Sequence, residues 1–223
     1  MTRLETEYFC AQCRTPFLNA STLDFEGLCP LCRSGVAGFD AAYCYGVYED
    51  PLRELIHLYK YDKIQSLAGP LGSLLAEALP LDEGFDAVAP LPLHWRRRWQ
   101  RGFNQSELLA RAVARRRGVP LVRALRRVRA TSTQAGLSNA GRRDNVAGAF
   151  ACRPNRRREI ESKRILLIDD VMTTGYTASA CAQALRRAGA SRVALLTLAR
   201  ADRRLDTSRA SSRIPVEEPV SNA

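Results

Sequence analysis

Apolar positions along the chain repeat with two different periods, and the order in which the periods alternate predicts the architecture. Residues 40–50, DAAYCYGVYED, alternate apolar and polar with aromatic and β-branched types, the pattern of a strand. Pro51 then opens a helix in which Leu52, Leu55, Ile56 and Tyr59 recur at three- and four-residue spacing, with proline in the favoured first turn. A second helical run covers 71–78. Residues 85–92, FDAVAPLP, read as a short apolar strand, followed by the basic loop HWRRRWQRGFN and the amphipathic helix SELLARAVARRR. Asn104 with Glu107 three positions on also fits a capping box, so Asn104 has a plain helix-starting role open to it. Residues 164–168 form a continuous apolar run, as expected for a strand covered on both faces by helices. A helix over 178–188 and a strand over 192–198 complete the alternation, which predicts an α/β fold with a mostly parallel sheet flanked by helices.

Two segments lack either period. Residues 128–150 are rich in Gly, Ser, Thr, Asn and Arg and read as a long loop, of the kind that is usually functional or disordered. The polar stretch 203–223 reads as a disordered tail. The division expected is a small module over 1–40, one α/β domain over 41–202 and the tail 203–223. No Gly-x-x-x-x-Gly-Lys-[Ser/Thr] loop and no Gly-x-Gly-x-x-Gly after a strand is present, which argues against a nucleotide-driven motor and against a dinucleotide cofactor.

Charge changes the picture of the partners. The formal net charge is +11 and lysine occurs only at Lys60, Lys63 and Lys163, so the positive side chains are almost all arginine. Arginine suits bidentate contacts to phosphate, in a nucleotide or a nucleic acid alike. A general arginine bias of the source would give the same composition. No apolar run approaches the roughly 20 residues of a membrane helix, and the N-terminal stretch lacks the hydrophobic core of a secretion signal, so a cytoplasmic location without an integral membrane segment is expected.

Cys10-x-x-Cys13 is followed after fifteen residues by Cys29-x-x-Cys32, the spacing of a four-thiolate zinc site. Each pair wraps the metal through one tight knuckle, and four thiolates close the tetrahedron without an open position, so the zinc is expected to be structural. A segment this short buries little core, and metal would supply much of its folding energy. A redox pair, or a ribbon that has kept its cysteines without the metal, is the competing reading. Cys44, Cys152 and Cys181 look like small core residues.

The apolar run 164–168 ends abruptly in Asp169 and Asp170. Two adjacent carboxylates repel each other unless a cation or hydrogen-bond donors face them, and a vicinal diol with Mg²⁺ meets both needs. Thr173, Thr174, Gly175 and Thr177 follow, three hydroxyls and one unhindered turn ahead of the helix expected from 178. Free amides at a helix N-terminus, with threonine hydroxyls, form an anion cup. Carboxylates for a sugar beside a cup for phosphate point to a ribose carrying a 5-phosphate. The bland alternative is a polar turn in which Thr177 caps the helix and Asp170 bonds backbone amides.

The stretch ILLIDDVMTTGYT resembles the phosphoribosyl pyrophosphate signature of type I phosphoribosyltransferases, with Tyr176 where a small residue is common. More of the chain resembles the ComF family of competence-associated proteins: the double Cys-x-x-Cys start, the Leu-Tyr-Lys-Tyr helix, Pro90-Leu91-Pro92, Arg101-Gly-Phe-Asn-Gln105, Gln134, and Arg142 with Asn145. The resemblance implies a type I phosphoribosyltransferase-like domain behind a zinc-ribbon-like module. It implies that Asp169 and Asp170 contact the ribose hydroxyls and Mg²⁺, and that Thr173, Thr174, Gly175, Tyr176 and Thr177 hold the 5-phosphate. It places Pro90 and Leu91 in the pyrophosphate-contacting loop, and Arg142 in the loop that closes over substrate; Arg101 and Arg142 would neutralise departing pyrophosphate. The ligand implied is phosphoribosyl pyrophosphate or a nucleoside 5-phosphate.

The activity expected is transfer of phosphoribose to a nitrogen acceptor that no motif identifies. The family's association also implies a second reading, a non-catalytic single-stranded DNA-binding accessory or regulator of DNA uptake that uses the sugar-phosphate pocket as a sensor. Trp95, Trp99 and Phe103 interleave with Arg96, Arg97, Arg98 and Arg101 as a stacking platform for single strands requires. Their four-residue spacing equally suits packing against the core with the arginines solvated. A regulator built on the transferase fold is the third reading, less favoured because no helix-turn-helix stands at either end.

Overall fold

The structure is a computed structural model and describes residues 4–93, 102–129 and 146–201. Four parallel strands form the central sheet: β1 (Ala41–Val47), β2 (Ala87–Pro90), β5 (Arg164–Met172) and β6 (Arg192–Arg200), in the spatial order β1, β6, β5, β2. The backbone at Leu121 extends the sheet beyond β2 through one parallel bridge to Val88. β3 (Leu125–Arg127) and β4 (Phe150–Cys152) make a separate antiparallel pair.

The continuous apolar runs of β5 and β6 are explained by cover on both faces. Alternate residues Leu166, Ile168, Ala194 and Leu196 meet α2 (Leu52–Tyr61), α3 (Ala68–Glu77) and α4 (Gln105–Arg117) through Ile56, Leu71, Leu75, Leu109 and Val113. On the other face Ile165, Leu167, Val193 and Leu195 share a core with α5 (Tyr176–Arg187), with Val122, Ala124 and Phe150, and with the cysteine segment through Phe17 and Leu31. Residues of the first 40 thus pack into the same core as the sheet. Within that segment Phe9 and Pro16 bridge across the first knuckle, and α1 (Pro30–Arg33) follows Cys29.

At the end of the sheet where β5 and β6 begin, Glu83 gathers three strands. Its carboxylate accepts from the Tyr43 hydroxyl at 2.7 Å, from Arg192 at 2.7 Å and from Arg164 at 3.4 Å, while its carbonyl accepts from Arg117 at 2.6 Å. Burial raises the Glu83 carboxyl, but the Tyr43 hydroxyl and the arginines outweigh it and hold it below its ordinary value.

Several elements differ from the sequence expectation. β5 does not stop at Ile168: Asp169, Val171 and Met172 stay paired with Thr197, Ala199 and Arg200, because β6 itself runs on to Arg200. α5 starts at Tyr176, two residues early, since Gly175 turns the chain with φ 79° and caps it. α3 begins at Ala68, and β2 is shorter than 85–92. The pair β3–β4 was not expected, because three-residue strands carrying Leu125-Arg-Arg lack room for a period-2 signal. Cys181 is buried as expected, whereas Cys44 and Cys152 are only half-buried. The tail 203–223, Gln134, Asn145 and the centre of the loop 128–150 lie outside the described residues.

Candidate functional site

The two acids stand on β5 just before the chain leaves the sheet, and the fold supplies each with a partner from the opposite layer. Lys60, in the last turn of α2, places its ammonium 2.8 Å from Asp170 Oδ1, and both side chains are 13% exposed. Ser106, in the first turn of α4, donates to Asp169 Oδ1 at 2.9 Å, and the Asp170 backbone N–H donates to the same oxygen at 2.9 Å. Burial pushes the Asp169 carboxyl up to about 7; the Asp170 charge adds to the rise, and Lys60 and the hydrogen bonds oppose it. Among the described residues two carboxylates face one ammonium and are under-compensated, which is the electrostatic condition for a divalent cation.

Past the acids, Thr173, Thr174 and Gly175 form a bend that delivers the chain to α5. Gly175 sits in the left-handed region at the helix entrance, and no side chain caps the first turn. The first-turn amides therefore point toward the bend, a concavity suited to an anion. Gly175, not Thr177, holds the N-cap position, and Asp170 faces Lys60.

The far wall comes from β2 and the start of α4. Leu91 continues the sheet, its amide donating to the Ile168 carbonyl at 3.0 Å, and its own carbonyl accepts from Asn104 Nδ2 at 3.0 Å. Asn104 is the N-cap residue of α4, yet its side chain holds Leu91 and makes no capping bond; Glu107 pairs with Arg123 at 2.6 Å. The capping box is thus replaced by a clamp between the strand end after Pro90 and the helix. Tyr59 donates to the Gln105 carbonyl at 2.9 Å and packs against Phe103 with the rings tilted 60°, centroids 5.7 Å apart. Phe103 is buried and serves packing; Trp95, Trp99, Arg96, Arg97, Arg98, Arg101 and Arg142 lie outside the described residues.

Of the residues singled out from sequence, Asp169, Asp170, Thr173, Thr174, Gly175, Tyr176, Thr177, Pro90 and Leu91 meet at this one end of the sheet. Lys60 and Ser106 were missed as site residues. Lys60 stands out in the sequence as one of three lysines and within the Leu-Tyr-Lys-Tyr helix, and its rarity in an arginine-rich chain is the signal that could have marked it as a site residue.

Cys10, Cys13, Cys29 and Cys32 bring four buried sulfurs within 4.8 Å of one another. Cys10 and Cys32 Sγ are 3.6 Å apart, and Cys13 and Cys29 Sγ 3.7 Å. Tetrahedral zinc with bonds of about 2.3 Å sets its sulfurs about 3.8 Å apart, so the donor set fits. The Cys29 backbone N–H donates to Cys10 Sγ at 3.3 Å. Without a cation the thiolates of Cys29 and Cys32 are disfavoured: hydrogen bonding to Cys13 and then burial raise Cys29, and burial pushes Cys32 up to about 12. Among the described residues no helix is long and apolar enough to cross a membrane.

Comparisons with known proteins agree with this geometry. The phosphoribosyl transferase domain family model matches residues 104–220. Competence protein F of Haemophilus influenzae is 34% identical over 183 residues, covering 78% of each chain. DNA utilization protein YhgH of Salmonella typhi is 36% identical over 163 residues, 69% of each, and competence protein ComFC of Bacillus subtilis is 30% identical over 160 residues, 69% of this chain and 61% of that protein.

Proposed function

The chain belongs to the ComF family of competence and DNA utilization proteins and carries a phosphoribosyl transferase domain, and on that premise we propose that it binds phosphoribosyl pyrophosphate and transfers the phosphoribosyl group to a nitrogen acceptor in the service of DNA uptake. The observation that carries the reading is the junction of β5 and α5. Two carboxylates, Asp169 and Asp170, lie within a few residues of a helix entrance that no side chain caps. A ribose bearing a 5-phosphate satisfies both halves at once, whereas free phosphate leaves the acids unmatched and a bare sugar leaves the amides unmatched.

In this reading Asp169 and Asp170 accept from the ribose hydroxyls, with Asp169 held in place by Ser106. Thr173, Thr174, Gly175, Tyr176 and Thr177 take the 5-phosphate, and Pro90 and Leu91 line the pyrophosphate side, fixed by Asn104. The acceptor nitrogen attacks the anomeric carbon, the bond to the pyrophosphate oxygen breaks with its electron pair leaving on pyrophosphate, and the acceptor loses a proton. Mg²⁺ carried with the ligand would neutralise pyrophosphate charge and rest against Asp169 and Asp170. Arg101 and Arg142 are assigned to pyrophosphate on sequence alone. No covalent nucleophile is needed, so the protein's contribution is orientation and charge.

The test is pyrophosphate release from phosphoribosyl pyrophosphate and Mg²⁺ with a panel of bases and ammonia, using Asp170→Asn as control. Release that the substitution abolishes supports transfer. Binding and turnover unchanged in Asp170→Asn would reject the site.

One observation favours the second reading, a single-stranded DNA-binding accessory. Exposed Arg126 on β3, Arg153 just after β4, and Arg157 and Arg158 in the 3-10 turn that follows belong to the β3–β4 pair and the turn next to it, tied by the Arg153 amide to the Ala124 carbonyl at 2.7 Å. Tight phosphoribosyl pyrophosphate binding without turnover, together with DNA affinity that falls steeply with salt, would support it over transfer.

A further inference from the structure

The cysteine segment meets the phosphate loop at Gly175, reaches it a second time through Arg200, and holds the body of the following helix α5 directly. Leu31 lies on α1 between the ligands Cys29 and Cys32, and a β-carbon at Gly175 would come within 2.8 Å of Leu31 Cδ1 and equally near Met172 Cε. Phe17, four residues past Cys13, underlies the Arg200 guanidinium at 4.6 Å, and that guanidinium donates to the Thr173 carbonyl at 2.6 Å. Val36, four residues past Cys32, accepts from Ser179 Oγ and, at 2.9 Å, from Gln183 Nε2, both on α5. Gly38 then lies so close to α5 that a β-carbon there would collide with the Ser179 carbonyl oxygen. Loop bend, helix entrance and helix body are each held from the metal side.

Resting on the functional reading above, we propose that the zinc module is the positioning element of the phosphate loop, so that metal occupancy and affinity for the 5-phosphate are thermodynamically coupled. The four thiolates fix the knuckles that carry Phe17, Leu31 and Val36. Leu31 walls the bend at Gly175, Phe17 supports it through Arg200, and Val36 holds the helix that follows, so the left-handed residue Gly175 is fixed by its surroundings. When the metal leaves, a segment too small to hold a core of its own loosens, and the bend loses that wall. Coupling is reciprocal: a ligand that stiffens Thr173–Gly175 from one side must strengthen metal retention from the other by the same factor. Leu31 and Arg200 are positioning residues in this scheme, acting on the phosphate through the loop.

The experiment uses the full zinc-loaded chain and compares wild type with Leu31→Ala, Leu31→Met and Arg200→Gln, with zinc content measured for each. Calorimetric titration with phosphoribosyl pyrophosphate and Mg²⁺ is expected to show Leu31→Ala and Arg200→Gln about 5- to 50-fold weaker, with Leu31→Met restoring affinity. Phosphoribosyl pyrophosphate should slow zinc transfer to a chelating dye in wild type and have less effect in Leu31→Ala. Amide exchange is a readout independent of ligand: residues 173–178 should exchange faster in zinc-loaded Leu31→Ala while β6 is unchanged. Should Leu31→Ala lose its zinc, Arg200→Gln decides, since Arg200 lies outside the cysteine segment. Failure of wild type to bind phosphoribosyl pyrophosphate sinks the functional reading and leaves the exchange result to judge the coupling. Unchanged affinity, unchanged zinc release or unchanged exchange at 173–178 overturns the coupling, as does acceleration spread evenly over α2 and β6.

Discussion

Replacing Lys60 with methionine takes away the ammonium that stands against Asp169 and Asp170 while keeping a side chain of similar length, so the effect is almost wholly electrostatic. The Lys60–Asp170 pair is 2.8 Å long and 13% exposed at each end. Breaking such a pair when it is fully buried costs about 3–5 kcal/mol. Here the cost is lower, because Asp169, already raised to about 7 by burial and then by the charge of Asp170, takes up a proton near neutrality. We expect a loss of about 2–3 kcal/mol at pH 8, and so a fall in Tm of about 4–12 °C for a chain of this size.

The sign with pH follows from the direction of the shift. A carboxyl whose folded pKa lies above its unfolded value binds more protons in the folded state, so stability declines as pH rises from the unfolded value toward the folded one and is level above it. Lys60 lowers the Asp169 value, so its removal carries that decline to higher pH. The gap between wild type and Lys60→Met should therefore widen as the pH rises past about 7, where wild-type Asp169 has already lost its proton. Millimolar Mg²⁺ should stabilise the variant more than wild type, because the cation takes over the neutralising role. Thermal melts across pH, with and without Mg²⁺, measure all of this. A variant as stable as wild type at pH 8, or a gap that widens as the pH falls, would refute the picture of two under-compensated acids.

Ser106→Ala removes the 2.9 Å bond to Asp169; a hydrogen bond to a charged group is worth about 1.5–3 kcal/mol, and calorimetry should show phosphoribosyl pyrophosphate affinity down by about tenfold or more. Glu83→Gln weakens the anchor of Tyr43, Arg164 and Arg192 by about 1 kcal/mol at neutral pH, the exposure of the arginines keeping it small. Because the Glu83 carboxyl is held below its ordinary value, that contribution is complete above the unfolded value and lost as pH falls, so urea melts of variant and wild type should converge in acid. Cys29→Ser leaves three thiolates where zinc wants four; metal analysis should find well under one zinc per chain, and equal zinc in variant and wild type would count against a four-cysteine site.

What the sequence disclosed about this site depends on how far apart its parts lie along the chain. Acids, threonines and glycine from 169 to 177 are contiguous, and their chemistry is set by a strand end and a helix start, so the ligand class could be argued from local pattern alone. The cysteine quartet was legible for the same reason, two knuckles with fixed internal spacing. Lys60 and Ser106 reach the acids from other elements of the chain, Ser106 from 63 residues away, and only the packing of α2 and α4 over the sheet brings them there. Asn104 shows how local rules mislead: its spacing to Glu107 matches a cap, yet tertiary packing gives its amide to Leu91 and Glu107 to Arg123. These non-local partners alter the chemistry that the contiguous motif suggests. From sequence, Asp169 and Asp170 are a pair in need of a cation or hydrogen-bond donors; in the fold, one is bonded by serine and the other by lysine. On the proposed function, metal and sugar would therefore arrive by exchange, displacing an ammonium already in place. Lys60 weakens the unliganded repulsion and competes with the incoming cation, so its removal should destabilise the free protein and sharpen its response to Mg²⁺ together, a pairing of effects that a surface ion pair would not produce.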